Sequence, residues 1–175
     1  MSQVGRNDWV RSVVAAHERP LIAYATRLLG DAERARDVVQ ETFLRMVRDN
    51  GQIPVERPAA WLFTVCRNLA RDVGRKEQRM APLTDAAADR EATITPGPAQ
   101  VLERKETSHA LVQHLGHLPE KEQEVIRLKF QGGLTYREIS EITGHSVTNV
   151  GFLIHHGLRA LKERVAGTPL KERLS

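Results

Sequence analysis

Residues 134–161 read LTYREISEITGHSVTNVGFLIHHGLRAL, and this pattern predicts two helices separated by a tight turn. Thr135, followed three residues later by Glu138, is the capping-box signature of a helix N-terminus. Gly144 lies where a positive φ would end the first helix, and Ser146 is placed to cap the second. The stretch therefore predicts a helix-turn-helix.

The second helix of this motif begins with polar side chains that point outward, among them Ser146, Thr148 and Asn149. In helix-turn-helix proteins this end enters the major groove of DNA, so base contacts are expected there. The candidates for phosphate contacts are Arg137, Arg159, Lys162 and Arg164. An ordinary helical hairpin whose cations lie on a solvated face fits the same pattern, so the motif alone leaves both interpretations open.

Helical periodicity also runs through the N-terminal half. Pro20 is expected to begin a second helix there, because its missing N–H is tolerated in a first turn. Gly30 should end that helix and Asp31 should cap a third one over about 32–49, with Val47 on its apolar stripe. Pro58 should then open a fourth helix.

Residues 81–99 are rich in Ala, Asp, Thr, Pro and Gly and lack periodicity, which is typical of a flexible linker. A helix over about 100–116 is expected to follow. The fold class predicted for the chain is therefore all-α, with two small helical domains over residues 8–80 and 100–168.

The 175-residue composition suits a soluble helical protein, with 41% hydrophobic and only 5% aromatic residues. The net charge of +4 is compatible with a nucleic-acid partner, and most of the positive surplus lies in residues 1–80. Cys66 is the only cysteine, which excludes an internal disulfide, and no apolar run approaches the ~20 residues of a membrane span. A cytoplasmic protein without membrane contact of its own is expected.

Three stretches, taken in order, resemble the extracytoplasmic-function (ECF) group of the sigma-70 family of RNA polymerase sigma factors. They are DAERARDVVQETFLRMVRD (31–49), PAAWLFTVCRNLARDVGRKEQR (58–79) and LPEKEQEVIRLKFQGGLTYREISEITGHS (118–146). The resemblance covers 10–80 and 105–165. It implies a non-catalytic subunit that binds bacterial core RNA polymerase, recognises −35 and −10 promoter elements and assists promoter opening. It also implies regulation by an anti-sigma partner. A cofactor and a small-molecule substrate are not expected.

The resemblance assigns roles to three sets of residues. Core polymerase would be bound by Asp37, Gln40, Glu41 and Arg45. The −10 element would be bound by Arg67, Asn68, Arg71, Arg75, Lys76 and Arg79, with Asn68 and the loop after this helix holding an extruded base. The −35 element would be bound by Arg137, Ser146, Thr148, Asn149, Phe152, His155, His156 and Arg159.

Aromatic residues leave some alternatives open. Trp61 and Phe63 are candidates for stacking on bases, although Trp61 also lies on the apolar side of its helix.

The second helix of the helix-turn-helix departs from the family pattern, because VGFLIHHG (150–157) stands where basic residues are common. Gly151 costs that helix about 1 kcal/mol relative to Ala. Phe152 either contacts a thymine methyl group or packs internally.

Other function classes find less support. His109, His114 and His117 have poor ligand spacing, so no metal site is expected, and no catalytic motif is present. Cys66 is expected to be a buried small hydrophobe rather than a redox sensor. A dimeric repressor would share the helix-turn-helix without explaining the N-terminal half. An adaptor that binds protein but never opens DNA is the remaining alternative.

Overall fold

The computed structural model describes residues 3–49, 53–80 and 114–166, which contain six helices of eight or more residues and no strand. They are α1 (Gln3–Leu29), α2 (Ala32–Arg48), α3 (Pro58–Met80), α4 (Glu120–Phe130), α5 (Tyr136–Thr143) and α6 (Val147–Ala166). The chain divides into two compact units, with α1–α3 in the first and α4–α6 in the second. The predicted all-α fold with two helical domains is confirmed.

Some predicted features lie outside the described residues. These are the linker over 81–99, all but the end of the helix over 100–116, and the last residues of the second domain. The domain boundaries 8–80 and 100–168 therefore stay predictions.

The prediction that Pro20 begins a new helix is wrong, because α1 runs without a break from Gln3 to Leu29. A proline inside a helix removes one hydrogen bond and costs about 3 kcal/mol. Here Val13 before the proline and Tyr24 after it are both buried, and α1 packs against both α2 and α3. Burial of side chains on both sides of Pro20 outweighs its local cost.

The start of α2 follows the sequence prediction. Gly30 has φ 67°, and the Asp31 carboxylate accepts a hydrogen bond of 3.0 Å from the backbone N–H of Arg34. The buried side of the helix consists of Ala35, Val38, Val39, Thr42 and Met46. Val47, predicted to belong to this stripe, is instead 48% exposed, because its direction falls outside the face that α1 and α3 cover.

Cys66 is buried in α3, as the sequence predicts, and burial raises the pKa of its thiol to about 12. A thiol with this pKa supplies almost no thiolate at neutral pH, and thiolate is the reactive form. We expect a disulfide reagent to modify the native chain at least about 100-fold more slowly than the urea-unfolded chain. Comparable rates at pH 8 in the two states would contradict this burial.

The second unit has a core where α4 and α6 pack together, and Leu115, Leu118, Ile126 and Leu161 form a buried cluster there. Buried residues of α5 and α6, Ile139 and Val150 among them, fix the helix-turn-helix to α4. The prediction that α4 begins near Leu118–Pro119 is close, because Pro119 occupies its N-cap position. This packing leaves the opposite side of α6 to solvent.

Candidate nucleic-acid interface

The turn of the helix-turn-helix has the predicted geometry. The hydroxyl of Thr135 accepts from the backbone N–H of Glu138 at 3.3 Å, and the Glu138 carboxylate accepts from the backbone N–H of Thr135 at 2.7 Å. Gly144 ends α5 with φ 78°. The Ser146 hydroxyl accepts from the backbone N–H of Asn149 at 3.2 Å and caps α6. The capping box, the turn glycine and the second cap are thus confirmed.

The solvent side of α6, together with its cap Ser146, carries most of the residues predicted to bind the −35 element. Ser146, Thr148, Asn149, Phe152, His155, His156 and Arg159 are all exposed. On the opposite side, Val150, Ile154, Gly157 and Leu161 are buried at the spacing of one helix face. Phe152 therefore does not pack in the core.

The two arginines predicted to bind the −35 element, Arg137 and Arg159, each lie beside a carboxylate. Arg159 forms an ion pair of 3.3 Å with Glu163 in α6. Arg137 belongs to α5, is exposed, and forms an ion pair of 3.6 Å with Glu141. Such exposed pairs contribute at most about 1 kcal/mol, so both guanidinium groups remain able to exchange partners.

Exposed cations occupy one side of α3. Asn68, Arg71, Arg75 and Arg79 follow one another at intervals of three or four residues, which places them along one line of the helix. Lys76 is exposed beside this line, and Arg67 is half-buried. A shallow surface pocket is lined by Asp72, Arg75, Lys76 and Arg79, and Arg75 lies 3.9 Å from the Asp72 carboxylate. The loop after α3 lies outside the described residues.

The structure excludes Phe63 as a base-stacking residue, because its side chain is fully buried in α3. Its ring meets the Tyr24 ring edge to face, with 5.3 Å between centroids and an interplanar angle of 71°. The position of Phe63 beside buried Leu62 and Cys66 makes it core rather than DNA-facing. Trp61 is half-buried, so it is neither a fully internal residue nor a freely exposed one.

The four residues predicted to bind core polymerase form a contiguous patch on α2, hereafter the α2 face. Asp37, Gln40 and Arg45 are exposed and Glu41 is half-buried. Arg45 Nε donates to Glu41 Oε1 at 2.9 Å. The buried stripe of α2 lies on the other side of the helix, so the α2 face is free of the fold's own packing.

One feature of the second unit was missed from the sequence. Nδ1 of His156 in α6 lies 2.8 Å from Oε1 of Glu122, a buried residue of α4. Gly157 lies at the crossing of these helices, and a Cβ built on it would lie 2.7 Å from Cδ1 of Ile126. A contact across 34 residues has no local signature, although a glycine inside a helix is a pointer to close packing.

The described residues contain neither a cluster of metal ligands nor a helix suited to crossing a membrane. No group of three or more His, Cys, Asp or Glu side chains in this part of the chain has an arrangement that could hold a metal ion. None of the described helices is long and apolar enough to cross a membrane.

Solved structures similar to this chain share its fold. A structure of CnrH in complex with the cytosolic domain of CnrY is 24% identical, with a TM-score of 0.57, and the match covers 91% of this chain and 89% of that one. The sigma factor RpoE of Bartonella quintana, in complex with the anti-sigma factor NepR, is 21% identical with a TM-score of 0.60, covering 90% and 96%.

Comparisons of sequence identify the family. The family model for sigma-70 region 2 matches residues 13–80, and the model for sigma-70 region 4 matches residues 108–161. The ECF RNA polymerase sigma factor EcfG of Rhodopseudomonas palustris is 33% identical, over 82% of this chain and 77% of that protein. SigL of Mycobacterium tuberculosis is also 33% identical, over 87% and 86%. The chain belongs to the ECF sigma factors of the sigma-70 family, the non-catalytic subunits that direct RNA polymerase to promoters.

Proposed function

We propose that this sigma factor uses three separate surfaces, one for core RNA polymerase and two for promoter DNA. The observation that carries the proposal is that most residues of each predicted set are exposed on one helix, whose other side is buried. The exceptions are Glu41 and Arg67, which are half-buried, and Arg137, which is exposed on α5. Side chains that the fold does not need for its own packing are free to bind partners.

The α2 face binds core polymerase. Asp37 and Glu41 are four residues apart, so their carboxylates lie on adjacent turns and present negative charge to a complementary basic surface. Gln40 adds a neutral donor and acceptor between them. Arg45 holds the Glu41 carboxylate at 2.9 Å, which orients it before the partner arrives. This pre-formed orientation lowers the entropy lost on binding.

The cationic line of α3 binds the −10 region. Arg71, Arg75 and Arg79 lie one turn apart, and such a row suits the phosphate backbone of a separated DNA strand. Phosphate contacts position a strand without reading its sequence. Asn68, at the start of the line, carries an amide that can donate to and accept from the edge of an unpaired base. With Phe63 buried, base recognition here depends on this amide and on residues outside the line.

The solvent side of α6 binds the −35 element. The backbone N–H groups at the start of α6 and the side chains of Ser146, Thr148 and Asn149 face the major groove. His155, His156 and Arg159 extend the same side toward the phosphates, and Arg137 on α5 adds a cation at the edge.

An anti-sigma protein is the proposed regulator of this chain. Both similar structures are complexes, one of CnrH with the cytosolic domain of CnrY and one of the sigma factor RpoE with the anti-sigma factor NepR. We further propose that the chain works in the cytoplasm, where RNA polymerase acts, and has no catalytic activity, cofactor or small-molecule substrate of its own.

Transcription in vitro tests this proposal. Bacterial core polymerase, with and without the purified chain, is given fragments of the source genome, and the 5′ ends of the RNA products are sequenced. We expect start sites that require the chain and share −35 and −10 elements. A stable complex with polymerase that yields no such product would contradict the proposal. It would favour an adaptor that binds protein but does not open DNA.

A further inference from the structure

Phe152 is an exposed phenylalanine in the middle of the solvent side of α6. Phe152 is 64% exposed, although its neighbours on this side are polar. Its ring stacks on the imidazole of His156, with 5.8 Å between centroids and an interplanar angle of 19°. In the major groove the apolar group within reach of such a ring is the C5-methyl of thymine.

The imidazole that supports Phe152 is itself held from the opposite side. His156 Nδ1 lies 2.8 Å from Glu122 Oε1. An ionised carboxylate only accepts hydrogen bonds, so this geometry assigns the donor role to Nδ1 of His156 when Glu122 is ionised. The Glu122 side chain is 7% exposed, so the hydrogen bond is shielded from competing water on the α4 side.

Two observations show that this contact is built into the packing. The second carboxylate oxygen of Glu122, Oε2, is buried without a hydrogen-bond partner, so the carboxylate depends on His156 for the hydrogen bond that the structure records. Gly157 lies directly above it, and a Cβ there would come within 3.3 Å of Glu122 Oε2. A glycine at this position leaves room for the carboxylate beneath α6.

We propose that Glu122 and His156 are positioning residues that hold the Phe152 ring against a thymine methyl group in the −35 element. This inference rests on the proposed −35 role of α6. Glu122 touches no DNA and acts through His156, whose ring sets the direction of the Phe152 ring. The sigma factor thereby reads one base pair with an apolar contact.

The simplest alternative is that the Glu122–His156 contact only fastens α6 to α4. The two roles differ in what they do to methyl recognition. A fastening contact affects binding to every −35 sequence alike. A positioning contact affects binding to the thymine-containing duplex and spares the same duplex with deoxyuridine, which lacks the methyl group.

The test uses holoenzyme assembled from core polymerase and the full chain, and a promoter taken from its mapped start sites. Each −35 thymine is replaced in turn by deoxyuridine, and the affinity of the holoenzyme for each duplex is measured. For the unchanged chain we expect one position at which the loss of the methyl group weakens binding about fourfold. Phe152→Ala should abolish this penalty at that position.

Variants of the supporting residues decide between the two roles. Glu122→Leu removes the acceptor in a similar volume and should reduce the penalty to less than about twofold. His156→Gln keeps a hydrogen-bond donor for Glu122 but has no ring to support Phe152. It should likewise reduce the deoxyuridine penalty to less than about twofold, and it provides the test if Glu122→Leu fails to fold. Glu120→Leu is the matched control, because Glu120 is exposed on the same turn of α4, and it should keep the full penalty.

The outcomes are distinguishable from a failure of the proposed function. If the unchanged holoenzyme initiates at promoters but shows no deoxyuridine penalty, or if the penalty survives in His156→Gln and in folded Glu122→Leu, the positioning role is wrong and the −35 role stands. If the holoenzyme initiates nowhere, the proposed function itself is wrong.

Discussion

Reversing both charges of the α2 face, with Asp37→Lys and Glu41→Lys in one chain, is expected to weaken binding to core RNA polymerase about 100-fold. Placing like charges against each other at an interface costs several kcal/mol, and 100-fold corresponds to about 2.7 kcal/mol. Titration of fluorescently labelled chain with core polymerase measures this effect. Promoter-specific transcription at limiting chain concentration should fall in parallel.

The fold should tolerate this double substitution. Asp37 is exposed and Glu41 is half-buried, and the pair that Glu41 forms with Arg45 is between side chains that are 39% and 52% exposed. A pair of this kind contributes at most about 1 kcal/mol. The buried stripe of α2 is unchanged, so far-UV circular dichroism should match that of the unchanged chain.

A matched control separates the α2 face from net charge. Glu18→Lys combined with Glu56→Lys changes the charge by the same amount at exposed positions outside the α2 face. This control should bind polymerase within about threefold of the unchanged chain, as only the long-range field differs. If both double variants lose affinity equally, the effect is one of net charge and the α2 face loses its assigned role.

Replacing Gly157 with leucine is expected to destabilise the second unit by about 3 kcal/mol, because an over-filled core forces side chains and backbone apart. The clash begins at Cβ, which would lie 2.7 Å from Ile126 Cδ1 and 3.3 Å from Glu122 Cβ. Both neighbours are buried at the crossing of α4 and α6, so neither can move into solvent. The higher helix propensity of leucine offsets only about 1 kcal/mol of this cost.

The chain's tryptophans allow the two units to be followed separately. Trp9 and Trp61 are the only tryptophans and both lie in the first unit, whereas circular dichroism reports helices of both units. In urea, Gly157→Leu should shift the circular-dichroism transition of the second unit to lower concentration and leave the tryptophan-fluorescence transition in place. A shift of the fluorescence midpoint instead would contradict the placement of the clash.

Gly151→Leu in the same helix is the control for the glycine itself. A Cβ at Gly151 would meet the Tyr136 ring at 3.4 Å, an ordinary contact with a side chain that is partly exposed. We therefore expect a change in stability within about 1 kcal/mol, since the gain in helix propensity is of that size. Equal losses at both positions would mean that glycine is needed in α6 for a reason other than the crossing.

The helix caps and the turn of the helix-turn-helix were predictable from the sequence, because the interactions that form them join near neighbours in the chain. A capping box, a left-handed glycine and a hydroxyl cap each act within about five residues, so the turn between α5 and α6 follows from the order of Thr135, Gly144 and Ser146. The exposed sides of α2 and α6 likewise follow from helical periodicity, which fixes the buried side and so the opposite one. Val47 is the exception, because periodicity assigned it to the buried stripe of α2 and it is exposed.

The sequence by itself therefore determined the all-α class, the helix-turn-helix and the sides of the helices that face solvent, since each depends on neighbours in the chain. Only the tertiary structure decided that α1 continues through Pro20, that Phe63 is core, and that His156 is held by Glu122. Each of these depends on burial or on a partner from another helix. The free energy of such packing outweighs local preference, and the spacing of residues along the chain does not encode it.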